Sequence, residues 1–124
     1  MTYLIDTNIV IYLASNQFPE LVRRVQSTPV GEISISAIVF AELALGSENG
    51  LAPKPAVLER LLRQMPLVPF DEAAARAYAK LPFKRARLDR LLAAHALSLD
   101  AVLVTRNVSD FADIPRLRVE DWTR

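Results

Sequence analysis

The stretch Tyr3-Leu4-Ile5-Asp6-Thr7-Asn8 decides the plan of this chain. Three apolar or aromatic residues make a short run suited to a buried strand, which ends on a carboxylate, and Thr7 or Asn8 can cap the helix that follows. In open α/β folds, ligands bind beyond the carboxyl ends of the strands, so Asp6 stands where such a fold would keep a functional acid. The plainer reading is that Asp6 only starts the turn.

Outward from this stretch the pattern repeats. Ile9 to Ala14 reads as a short apolar helix, and Pro19 with Glu20 opens another to about Gln26. Glu32-Ile33-Ser34-Ile35-Ser36 alternates like a strand, and Ser36 is placed to cap a helix from Ala37 to Leu45, with Gly46 as its stop. Within that helix Val39 and Leu43 share an apolar face, and Glu42 is a charge among apolar neighbours that needs a reason. Pro55 starts a helix whose Leu58, Leu61, Leu62 and Met65 recur at helical spacing, a core stripe. Leu67 to Phe70 reads as a strand, Asp71 as a cap, and Glu72 to Leu81 as an alanine-rich helix stopped by Pro82. After a connector at 82–88 comes a helix to Ser98, then the buried strand Ala101 to Thr105, a turn at 106–111, and an edge strand at Leu117 to Val119. Helices alternating with short strands predict a three-layer α/β/α fold around a mainly parallel sheet, in one domain over residues 1–124.

Composition narrows the function. Fifteen basic against fourteen acidic residues create no overall field, but residues 1–75 hold five basic and eight acidic residues, and residues 76–124 hold ten and six. The C-terminal part is suited to a polyanion. The absence of cysteine excludes disulfides and thiolate metal sites and fits a reducing compartment. No signal peptide is read at the N-terminus, and no apolar run reaches the roughly 20 residues that span a bilayer, so a cytoplasmic protein without membrane partners is expected.

Asp6, Glu42 and Asp89 each stand near the end of a different strand or the start of a different helix, and a parallel sheet brings such ends to one edge. Two carboxylates about 4 Å apart repel by roughly 4 kcal/mol at an effective dielectric near 20, so a cluster needs a counter-charge. A divalent cation supplies one. Oxygen ligands without cysteine favour Mg²⁺ or Mn²⁺ over zinc, and such a cation offsets charge on a phosphodiester. Taken singly, Asp89 reads as a helix cap, Glu42 as the partner of a buried Arg, and His95 as a core residue with no role. The joint occurrence of Asp6, Glu42 and Asp89 favours a site.

At this level the residues resemble a family. Tyr3 to Asn8, Ile35 to Gly46, Asp89 to Ala96, and Val104-Thr105-Arg106-Asn107 with Asp110-Phe111 are similar, in order, to the blocks of PIN-domain ribonucleases, and within them to VapC-type toxins. The ending Ile114 to Trp122 is similar to that branch as well. The resemblance implies an RNA substrate, a Mg²⁺ site with Asp6 and Asp89 as principal ligands and Glu42 beside them, a cognate antitoxin and a homodimer. It also makes Asn107 and Asp110 the far side of the site. Asn107 departs from the family, which often has an acid there; an amide oxygen can coordinate but brings no charge, and Asp110 can compensate. Thr7 and Thr105 are placed to orient carboxylates. The connector 82–88 is shorter than that branch usually carries. An inactive module of the same fold, holding RNA or a protein partner, is the alternative.

One further feature is the basic run Arg76, Lys80, Lys84, Arg85, Arg87 and Arg90, which leads into Asp89 and suits an RNA backbone.

Overall fold

Strand β1 (Tyr3–Ile5) is the centre of the fold, because the residues on either side of it in space come from distant parts of the chain. A computed structural model describes residues 1–82 and 85–124. After β1 come helix α1 (Thr7–Ser15), α2 (Pro19–Gln26), β2 (Ile33–Ser36), α3 (Ala37–Glu48), α4 (Pro55–Gln64), β3 (Leu67–Val68) and α5 (Glu72–Ala79). The chain ends with α6 (Arg87–Ser98), β4 (Val102–Val104), a 3-10 turn (Val108–Phe111) and β5 (Arg118–Glu120). The strands run in the order β3-β2-β1-β4-β5, and all four neighbouring pairs are parallel. Helices flank this sheet in an α/β/α arrangement, as the alternation predicts.

The strand order reverses at β1. From it the chain moves outward to β2 and β3, then crosses to the other side for β4 and β5. The crevice beyond the carboxyl ends of β1 and β4 is therefore the switch point at which such sheets bind ligands. Tyr3 stands opposite both Ile33 and Val102, and the Asp6 amide donates to the Val104 carbonyl at 3.1 Å, fixing the first residue past β1 against the end of β4. Leu4, Ile5, Ile35, Leu103 and Val104 are fully buried, which is what a sheet covered on both faces demands.

Local chemistry explains where the elements stop. Ser36 ends β2 and caps α3, its Oγ accepting from the Ile38 amide at 3.0 Å. Asp71 caps α5 through the Ala74 amide at 3.0 Å. Three expectations are corrected. The cap of α1 is Asp6 itself, which accepts from the Ile9 amide at 2.9 Å; Thr7 is already helical. Strand β3 ends at Val68, because Pro69 has no N–H to continue the ladder. Gly46 does not end α3, which continues to Glu48. The Gly46 carbonyl instead accepts from Leu51 at 2.8 Å, and the left-handed residue needed for the exit is Gly50, at φ +80°.

Candidate active site

The carboxyl edge of the sheet brings together the acids that the sequence scatters. Asp6 follows β1, Glu42 projects from the second turn of α3, Asp89 from the first turn of α6, and Asn107 and Asp110 from the segment after β4. All five line one cavity of about 110 Å³, with Leu88, Leu92 and Phe111 as its apolar part. Asp89 is not a helix cap, since Ala86 occupies that position. Glu42 is not paired to a buried arginine either: its Oε1 accepts from the Thr7 hydroxyl at 2.7 Å. That bond joins α1 to α3 across 35 positions of sequence and aims the carboxylate.

Thr105 performs the matching task opposite. It is fully buried, its hydroxyl faces the Asp6 carboxylate closely enough to favour the charged form, and its Oγ1 accepts from the Asn107 amide at 3.1 Å. One side chain thus links Asp6 to the loop carrying Asn107. Burial pushes the Asp6 carboxyl above its ordinary range; the Thr105 hydroxyl and the Ile9 amide act against this, and Asp89 and Glu42 add to it by repulsion. Burial also raises Asp89, followed by repulsion from Asp110 and Glu42, with Arg90 opposing.

These groups suit a hard divalent cation by donor type: carboxylate, amide and hydroxyl oxygens, and two acids that burial and like charges have made unfavourable as bare anions. Among the described residues, no three acids draw close enough to make a finished cage. The fit therefore rests on the donor set and on convergence to one cavity.

His95 is a core residue, as its place on an apolar helix side suggests. It is fully buried, its Nδ1 lies 2.8 Å from the Ser36 Oγ, and its ring meets Phe70 edge to face at 5.3 Å. Burial lowers its pKa, which keeps the ring neutral.

The basic run divides. Arg90 is buried and bound to Asp113, and so does not face RNA, contrary to its place in the run. Arg76 pairs with Glu72 one helical turn away at 2.7 Å. Arg85 and Arg87 are exposed just before Asp89; Lys84 lies outside the described residues. Sequence reasoning missed the Arg90–Asp113 pair because the partners are 23 positions apart and nothing local marks them.

The PIN domain family profile matches residues 3–117. The chain belongs to the PIN domain family. Its relatives place it in the VapC branch. It is 36% identical to Ribonuclease VapC1 of Haemophilus influenzae, with all of both chains covered. It is 32% identical to the tRNA(fMet)-specific endonuclease VapC of Salmonella typhimurium, with 98% of each covered. Among solved structures, DNA-bound VapBC from Salmonella typhimurium matches this PIN domain with a TM-score of 0.85 at 29% identity, covering 98% of each chain. The match includes every block from Tyr3 to the 3-10 turn, so this PIN domain's cavity falls wholly within the family region.

Proposed function

We propose that this PIN domain is a Mg²⁺-dependent ribonuclease and the toxin of a toxin–antitoxin pair, working in the cytoplasm. The observation that carries this reading is the convergence of Asp6, Glu42, Asp89 and Asp110 on one cavity at the switch point of the sheet. Membership in a branch whose relatives are named ribonucleases supports the nuclease activity. Among the described residues, no helix is long and apolar enough to cross a membrane.

In this reading Asp6 and Asp89 hold the cation, with Mn²⁺ able to replace Mg²⁺, and Glu42 joins them directly or through water. When bound, Mg²⁺ lowers the pKa of water and offsets charge gathering on the phosphodiester. The chain itself supplies rigidity. The α1 cap and Thr105 fix Asp6, Thr7 fixes Glu42, and the apolar wall of Leu88, Leu92 and Phe111 limits water around the acids. Asn107 completes the rim with an amide oxygen, so replacing it by aspartate adds the missing charge. Asn107→Asp is expected to tighten Mn²⁺ binding several-fold, as read by titration calorimetry. Unchanged affinity would leave Asp110 as the member that completes the site.

RNA reaches the cavity past Arg85 and Arg87. Reversing both charges is expected to weaken RNA binding and to flatten the dependence of log K on log salt by about 0.7 per lost phosphate contact on a single strand. Equal binding across a salt series would remove these residues from the substrate path. The antitoxin would cover the same cavity, presenting Arg or Lys to its acids, and the toxin would act as a homodimer. The neighbouring VapBC complex from Salmonella typhimurium supports a bound antitoxin partner.

The direct test incubates the purified protein with total cellular RNA and Mg²⁺ and maps the new ends, with tRNA(fMet) as the first defined substrate because the Salmonella relative is named for it. Cleavage that EDTA abolishes is the expected result. Binding without cleavage of any RNA would instead favour an inactive PIN module, the reading that the uncharged Asn107 suggests.

A further inference from the structure

The first turn of α6 carries two adjacent residues with opposite surroundings. Asp89 lines the cavity, whereas Arg90 is only 3% exposed. Its Nη2 donates to both carboxylate oxygens of Asp113, at 2.9 and 2.8 Å. Asp113 stands three residues past Asp110. The pair therefore joins the start of α6, which carries Asp89, to the segment just past the 3-10 turn that carries Asp110.

Those two acids repel one another, and the repulsion acts to separate the start of α6 from the 3-10 turn. A buried arginine whose Nη2 holds both carboxylate oxygens acts in the opposite direction, as a short charge-assisted contact out of reach of water. Neither partner touches the cavity. We propose that the Arg90–Asp113 pair is a positioning clamp that holds Asp89 and Asp110 at the separation needed to bind a divalent cation. The clamp rests on the cation-site reading given above.

Charge alone makes the opposite prediction. Arg90 is a cation next to a cation site, so removing it should tighten metal binding if its role were only electrostatic. A clamp predicts weaker binding. Titration of Mn²⁺ into the purified protein, followed by the free-ion EPR signal, reads this without any RNA present.

Arg90→Met is expected to weaken Mn²⁺ affinity about 10–100-fold, the usual loss when a partner behind a metal ligand is removed. Arg90→Lys keeps the charge but carries it on a shorter side chain, which draws the cation back from Asp113, and it should lose affinity in the same direction. It is the variant to use if Arg90→Met does not fold, as judged by circular dichroism. A folded Arg90→Met that binds Mn²⁺ as tightly as the parent, or more tightly, overturns the clamp. So does unchanged affinity in Arg90→Lys, even with a lowered melting temperature, because the pair would then serve stability alone. If the parent protein binds no Mn²⁺, it is the cation-site reading that fails.

Discussion

Asp6→Asn is expected to abolish Mg²⁺-dependent RNA cleavage and, at the same time, to raise the melting temperature of the metal-free protein. Asparagine caps a helix as well as aspartate does, so the Ile9 amide keeps its partner and α1 its start. What disappears is the charge. A bound cation contributes several kcal/mol at a phosphoryl centre, so at 1.36 kcal/mol per tenfold the loss of rate should be at least about 100-fold.

The stability change follows from the Asp6 carboxyl, which burial first and then the neighbouring acids hold above its ordinary value of 3.8. The folded state thus binds that proton more tightly than the unfolded chain. Stability contributed by this group is present at low pH and is lost as pH rises from about 3.8 through the raised value. Asp89 shifts in the same direction. In EDTA at neutral pH, removing the Asp6 charge should therefore stabilise the fold, and below pH 3.8 the two proteins should melt together. Added Mg²⁺ should stabilise the parent at neutral pH and leave the variant nearly unmoved. Calorimetry across pH, with EDTA or Mg²⁺, checks every part. A variant that cleaves like the parent would remove Asp6 from the site, and one that melts lower in EDTA at pH 7 would show that its charge is not held at a cost.

The largest loss of stability should come from Trp122→Ala. Trp122 is 1% exposed and packs its ring edge-on against Tyr3 of β1 at 5.0 Å, while its Nε1 donates to the Glu120 Oε1 at 2.8 Å. The Arg24 guanidinium lies over the same ring at 4.8 Å and reaches Glu120 at 3.4 Å. One side chain therefore joins α2, β1 and the edge strand β5. Truncating a buried tryptophan costs about 3–5 kcal/mol, out of a total stability of roughly 5–15 kcal/mol. The melting temperature should fall by at least about 10 °C, with β5 amides losing hydrogen-exchange protection first. Trp122→Phe, which keeps most of the packing, should cost much less; equal losses in the two would assign the effect to the hydrogen bond to Glu120.

Much of the architecture is legible because it is written in local signals. Tyr3-Leu4-Ile5 is apolar enough to be a central strand, Ser36 and Asp71 are capping residues at the start of helical periods, and Pro55 sits where a helix can begin. The failures are equally physical. Gly46 has the chemistry of a stop, but φ > 0 is required four residues later, and Gly50 meets it. The acids Asp6, Glu42 and Asp89 could be collected from the sequence because Asp6 and Asp89 stand at element ends that a parallel sheet brings together and Glu42 is a charge on an apolar helix. Their supports could not. Thr7 reaching Glu42 and Arg90 reaching Asp113 depend on how helices pack, and a charged residue next to Asp89 gives no local sign that it turns inward.

The central position of β1 has a consequence for how the protein is made. Its three residues are made before those of β4, and Tyr3 gains its pairing with Val102 only after almost a hundred further residues have been added. At about 5–20 residues per second, the N-terminal strand waits several seconds for its second neighbour. Until then Asp6 has no Val104 carbonyl to fix it, no Thr105 beside it and no Asp89 opposite. A chain that has not reached residue 110 therefore lacks part of the cavity lining. For the toxin proposed above, that order of assembly would give its antitoxin time to be present before there is a complete site to inhibit.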